Sequence, residues 1–544
     1  MKRGIGFDVE LLCLWITLSH AATYSVATTG NDASACRQAS PCRTFARALP
    51  LLRAGDTLLV RGGTYAQDIR SAVIAMANGT ATARITVQNF IGETVWIQPS
   101  TGCNVLNLTG VMYWTFQGIN IDGRNLSCGI YATNGVYVQD AVGGSHIILR
   151  DLEVRDISNN SAPLDQDTGG AQGVQSGYGI QLINLNVHGT HKRYGDYKGE
   201  HCVYMGGDTI IDGGQYHNCG VAGIQFNDSA LRADHPTGGM IRNARIYKAG
   251  RCIESPGPCH GGASGIVLYA NQRLHKVYNN LIYDNRGPGI QIGWTNTHDN
   301  QVLNNTIVGN AGNCLGIGSG YANVFVLRTI ARNNVCKNNG GGIVLTVAAN
   351  NSYVQNNIIH GSTGITNSSS GSTVSANLLT DPLLVNIATQ DFHLQATSPA
   401  INMGTSTAPT VTTDFAGIPR PQGAAYDIGA YELSPDGYGT PPQLQSIRIA
   451  TSPVVAGTIG LTFEYPVADE AIIDRFVLQR RRIGQPFTDR ATTVKTVRKA
   501  NDPTAENGVV YCYRVLAEKG ARRSEPSGEV CGVLVINVLP LKLE

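Results

Sequence analysis

A glycine followed by a β-branched residue recurs along this chain, at Gly179-Ile180, Gly223-Ile224, Gly265-Ile266, Gly289-Ile290, Gly316-Ile317, Gly342-Ile343 and Gly364-Ile365. Cys202-Val203 takes the same place once, and Gly129-Ile130 precedes the series. From Ile180 onward the intervals run from 21 to 27 residues, apart from one of 42 that an inserted loop or an unmarked coil would give. A fixed period of this length marks a unit that cannot bury its own apolar face and must stack on its neighbours.

A second track runs out of phase with the first, through Asn280-Leu281-Ile282, Asn305-Thr306-Ile307, Asn334-Val335-Cys336, Asn357-Ile358-Ile359 and Asn377-Leu378-Leu379. Two tracks of one period mean more than one strand per repeat. Short runs such as GIVLY, LIYDN, GIQIG and TIVGN alternate at strand period, and Gly and Asn punctuate them where positive φ is needed. The pattern predicts an all-β parallel β-helix solenoid. The repeated asparagines then act as stacked turn amides, hydrogen-bonded along a column.

The cysteines fit the same scheme. Of 13, Cys13 falls in an amino-terminal segment with the marks of a secretory leader over residues 1–21: Lys2 and Arg3, the apolar run Leu11 to Leu18, then Ser19-His20-Ala21. The other twelve form neighbouring couples: Cys36/Cys42, Cys103/Cys128, Cys202/Cys219, Cys252/Cys259, Cys314/Cys336 and Cys512/Cys531. Neighbour pairing is the simplest framework for an exported chain. Separations of about one coil, as for Cys103/Cys128 and Cys314/Cys336, would tie adjacent coils.

The ends of the solenoid carry a resemblance. YSVATTGNDAS, SPCRTFARAL and AGDTLLVRGGTY look like the opening of secreted right-handed β-helix proteins of the pectin-lyase-like superfamily. DFHLQATSPAINMG followed by DFAGIPRPQGAAYDIGAYEL is similar to the terminal segment of bacterial β-helix proteins with a choice-of-anchor Q domain. The resemblance implies a right-handed parallel β-helix over 22–433 and leaves activity open, because this fold hosts lyases, hydrolases, epimerases and adhesins. Within it, Thr44 to Arg53 reads as a short amphipathic helix closing the first coil.

The texture changes after a Pro/Gly-rich linker at 434–442. Residues 443–537 read as a small β-sandwich, and Tyr511-x-Tyr513-x-Val515 with Ser524-x-Pro526-Ser527 resembles the last two strands of a fibronectin type III domain, with 538–544 as a tail. The run Gln479 to Arg482 reads as one solvated face of a strand.

Function must come from local charge. With 41 basic against 39 acidic residues the chain has no general field for nucleic acid or anionic membranes, and no segment beyond the leader is apolar enough to span a bilayer. Yet HGTHKRYGDYKGEH, His188 to His201, gathers histidine, lysine, arginine and acid in a chain only 15% charged. Two further charged stretches, NDSALRADH (Asn227 to His235) and RCIESPGPCH (Arg251 to His260), are expected to leave corresponding turns and stand with it on one flank.

Such a groove suits an extended anionic extracellular polysaccharide, bound by a monomer. β-Elimination of a uronic-acid glycan needs a neutraliser for the carboxylate and a base for the C5 proton. Arg193 or Arg232, or calcium held by Asp196, Asp228 and Asp234, would neutralise. Lys192, Lys198, His201 or His217 would be the base; Tyr194, Tyr197 or Tyr204 would donate to the leaving oxygen, and His235 would line the groove. For His201 the plainer alternative is a hydrogen bond to neighbouring backbone.

The paired aspartates and Gly-His-Gly of polygalacturonases are matched only superficially, by Asn120-Ile121-Asp122-Gly123 and Cys259-His260-Gly261-Gly262. Two classes therefore stand: a lyase-like secreted enzyme, or a non-catalytic glycan-binding surface or matrix protein.

Overall fold

The computed structural model describes residues 21–139, 144–160, 170–190, 200–227, 238–250, 263–318 and 325–433, together with most of 443–533. The first part is a right-handed parallel β-helix. Its strands form three long parallel sheets of 13, 11 and 11 strands, each pairing a strand with its counterpart one coil away. Sheet one begins at Thr23–Val26 and Thr57–Val60, sheet two at Ile69–Arg70 and Asn104–Asn107, and sheet three at Gly63–Tyr65 and Val95–Ile97. A coil runs from sheet one through a tight turn to sheet three, then to sheet two and back.

Inward residues stack in files because the strands pair in register. Sheet two sets Val203 on Ile224, Ile224 on Ile266 and Ile266 on Ile290. Ile290 pairs with Leu315, and Leu315 with Ile343. Ile317 is equally buried but stands in the next file, between Ile292 and Leu345, so Gly316 takes an outward position. The glycine-isoleucine pattern is thus not one uniform register. Ile180 precedes a sheet-one strand, and Ile130 is 52% exposed.

The interval of 42 is a lengthened coil. Ile224 pairs directly with Ile266, and the extra residues belong to 228–237 and 251–262, outside the described residues.

The asparagine column is continuous. Asn280 Nδ2 donates to Asn305 Oδ1 at 3.0 Å, Asn305 to Asn334 at 3.0 Å, Asn334 to Asn357 at 2.9 Å and Asn357 to Asn377 at 2.9 Å. Asn279, Asn304, Asn333 and Asn356, just before them, turn the chain at φ of 52–56°, a region Asn tolerates better than most residues. A second column, Asn285 to Asn310 to Asn339, runs at the corner after sheet three.

The helix at the front is shorter than Thr44 to Arg53. Thr44 caps Phe45–Ala48 by accepting from the Arg47 amide, and Pro50 converts the continuation into a 3-10 turn, Leu49–Leu51. At the far end, residues 384–433 fold back over the outer side of sheet three. Arg420 donates to Glu432 at 2.6 Å with both side chains fully buried, and Asn333 Nδ2 donates to the Thr405 carbonyl.

Five of the neighbour disulfides are present, and Cys252 and Cys259 lie outside the described residues. The last of them joins Cys512 to Cys531, which face each other across antiparallel strands of a small β-sandwich. One of its sheets orders Gln443–Ala450, Thr458–Glu464 and Lys499–Asp502. The other is built on Thr488–Val494, Arg475–Arg482 and Val510–Lys519. Arg480 departs from the solvated-strand reading: it is 6% exposed and paired with Asp502 at 2.7 Å. No helix among the described residues is long and apolar enough to cross a membrane.

Candidate functional site

On sheet two the register defines one outward file: Arg70, Asn107, Tyr137, Gln175, Tyr204, Gln225, Val267 and Gln291. Most sit in a short strand between apolar side chains that point inward, as in Val203-Tyr204-Met205 or Ile224-Gln225-Phe226. Strand period leaves them nowhere to face but out. Successive members stand about 4.8 Å apart, the spacing of paired strands.

The charged stretches lie in connections between described strands of this and the neighbouring sheets. Residues 191–199 join sheet three to sheet two, and so do 251–262. Residues 228–237 join sheet two to sheet one. The strands on either side of the stretches thus differ, and where the stretches themselves stand lies outside the described residues. Lys192, Arg193, Tyr194, Asp196, Tyr197, Lys198, Asp228, Arg232, Asp234 and His235 all fall in these stretches, outside the described residues.

Three candidates are described. His201 and Tyr204 come together at sheet two, their rings stacked with centroids 5.3 Å apart. Tyr204 accepts a hydrogen bond from Asn227 Nδ2 at 2.8 Å, and burial raises the pKa of its phenol, so it stays protonated at neutral pH. His201 is 4% exposed, and its Nδ1 accepts from the Ala222 amide at 3.3 Å. Burial pushes its pKa down to about 3. Such an imidazole is neutral at pH 7, and its ring packs against that of Tyr204.

His217 stands elsewhere, on the outer face of sheet three. It lies between His188 and Tyr247 in a stack of rings that continues to Tyr283, with centroids 4.9, 4.7 and 4.9 Å apart. Burial first, then the neighbouring His188 and Lys248, lower its pKa to about 4. Its two nitrogens meet Asn186 Oδ1 and Asn218 Nδ2 at 3.2 and 3.0 Å. The register thus separates His217 from the Tyr204 face.

Tyr137, Gln175, Gln225 and Gln291 were not singled out by charge. Their signal in the sequence is the polar residue lodged between inward-facing ones, apolar on both sides for Tyr137, Gln225 and Gln291. Among the described residues, the one cluster with metal-ligand geometry, Cys512, Glu529 and Cys531, contains a disulfide and is not a cation site.

No family model matches the chain. A curated relative, the uncharacterized protein YwoF of Bacillus subtilis, is 24% identical over 361 residues, which is 61% of this chain and 74% of the relative. Among solved structures, pectate lyase Pel9A superposes with a TM-score of 0.50 at 16% identity, covering 76% of this chain and 97% of its own. A rhamnogalacturonan lyase follows at 0.47 and 13%, covering 67% and 91%. At these identities the likeness is one of fold, and with the stacked parallel sheets it makes this chain a parallel β-helix of the kind found in pectate lyase.

Proposed function

We propose that this is a secreted protein acting on an extracellular, uronic-acid-containing polysaccharide, with the outer face of sheet two as its binding groove. The observation that carries this reading is the file of phenols and carboxamides along that face, to which the sequence adds charged stretches in the connections to and from sheet two of an otherwise charge-poor chain. Carboxamides and phenols match sugar hydroxyls, and the cations of those stretches match carboxylates. Five disulfides support export, and the likeness to a pectate lyase supports the substrate class.

The reaction we infer is β-elimination. Arg193, Arg232 or a calcium ion at Asp196, Asp228 and Asp234 would neutralise the uronate carboxylate; Lys198 or Lys192 would take the C5 proton. Tyr204, a neutral phenol, would donate to the glycosidic oxygen. His201 positions Tyr204 in this scheme, and His217 belongs to the other face. Binding without catalysis is the second reading, favoured by the described groove itself, whose file beyond Arg70 is uncharged.

The carboxy-terminal sandwich we read as a fibronectin type III-like spacer or docking module. Its strands follow the order A-B-E on one sheet and C′-C-F-G on the other, if named from Gln443–Ala450 onward. To test the function, the protein is incubated with polygalacturonate, alginate and glycosaminoglycans, with and without calcium. Rising ultraviolet absorbance from an unsaturated product supports the lyase reading; retention on an immobilised polyuronate without product supports binding alone. Failure of both rejects the proposal.

A further inference from the structure

The outer file of sheet two ends at its amino-terminal side in a depression of about 600 Å³. Arg70, Asn104 and Asn107 contribute to its lining, with the apolar Ala72 and Val73 beside them, and Val73 is 70% exposed. The Cys103–Cys128 disulfide fixes one wall to the next coil.

Asp68 lines the depression too, as the ion-pair partner of Arg70, and hydrogen bonds within the protein occupy the carboxamide oxygens of Asn104 and Asn107 while leaving their nitrogens. Asn107 Oδ1 accepts from the Thr109 amide at 3.1 Å, which fixes the orientation of the carboxamide. Asn104 Oδ1 accepts from Asn134 Nδ2 at 2.8 Å. Among the described residues nothing takes a hydrogen from Asn104 Nδ2 or Asn107 Nδ2. Arg70 engages Asp68 through Nε at 2.6 Å, and its side chain is half exposed, leaving the terminal nitrogens of the guanidinium for a ligand. A depression that offers donors from three side chains beside an apolar patch matches a sugar carrying a carboxylate, with the apolar face of the ring against Val73.

We propose that this depression is the terminal subsite of the groove and holds a uronate residue of the bound chain, three strand steps from Tyr204 along the register. That separation is about 14 Å at the spacing of paired strands. The proposal rests on the reading of sheet two as a glycan groove. It adds that the groove counts length: a chain too short to span from Tyr204 to Asn107 gains nothing from this subsite.

Calorimetry with oligogalacturonides and alginate oligosaccharides of increasing length tests it, using wild type, Arg70→Ala and Asn107→Asp. Asn107→Asp keeps the acceptor for the Thr109 amide while replacing the donor by a repelling carboxylate. Wild-type affinity should climb as the oligomer lengthens, and each variant should lose only the last increment, about tenfold for one charge-assisted hydrogen bond. Short oligomers should bind all three proteins equally. If both variants keep the wild-type length dependence, or if methyl-esterified oligomers show the same increment, the subsite is overturned while the groove stands. If no uronate oligomer of any length binds wild type, the groove reading falls and the subsite with it.

Discussion

Asn227 donates from Nδ2 to the Tyr204 hydroxyl oxygen at 2.8 Å, across one strand step of sheet two. That bond occupies a lone pair of the phenol and leaves its hydrogen for whatever lies on the face. Tyr204→Phe should therefore lower kcat/KM, or affinity if there is no turnover, by about tenfold or more, while circular dichroism stays unchanged. Wild-type behaviour of this variant would remove Tyr204 from the site.

The buried histidines set a pH dependence. Burial lowers the pKa of His201 and His275 from 6.5 to about 3 in the folded chain. The unfolded chain therefore binds more protons between those values, so stability is full above pH 6.5 and falls as pH drops towards 3. At pH 5 the loss is about 2 kcal/mol for each histidine. Urea titrations at pH 7.5 and pH 5 read this directly, and His275→Gln should shrink the difference by about 2 kcal/mol, leaving the share of the other lowered histidines.

The asparagine column bears on stability rather than chemistry. Asn305 Nδ2 reaches the Val277 and Leu303 carbonyls and Asn334 Oδ1, all in a site with no solvent exposure. Asn305→Ala should cost about 3 kcal/mol, since it leaves buried acceptors without a donor. Thermal melting checks it.

Much of the solenoid is legible in the sequence because its two signals are local and repeated. Asn280, Asn305, Asn334, Asn357 and Asn377 each need a turn with an inward amide, and each turn is the next one's partner. Register is less legible, because Gly316-Ile317 looks like Gly289-Ile290 in the chain yet pairs two residues out of step with it. The site was legible only in part. His201 and His217 are 16 residues apart and similar in sequence context, but one faces Tyr204 and the other stacks on His188, since a coil turns between them. Charge marks stretches that lie outside the described residues, while the uncharged face of sheet two, Gln175 and Gln225, carries no such mark.

The segment that folds over sheet three encloses one fully buried ion pair. Arg420 and Glu432 are both fully buried, and Arg420 also donates to the Gly429 carbonyl. Arg420→Met should destabilise the chain by about 3–5 kcal/mol, because it strands a buried carboxylate. Chemical denaturation gives the number, and a change under 1 kcal/mol would contradict the assignment.

The most direct measurement of the central claim is a crystal structure of the protein with a bound oligouronide. The account predicts sugar density along the outer face of sheet two, in hydrogen-bond contact with Tyr204 and with Gln175 or Gln225, and with carboxylates turned to the flanking charged stretches. Density instead on the outer face of sheet three, along His188, His217 and Tyr247, would contradict it.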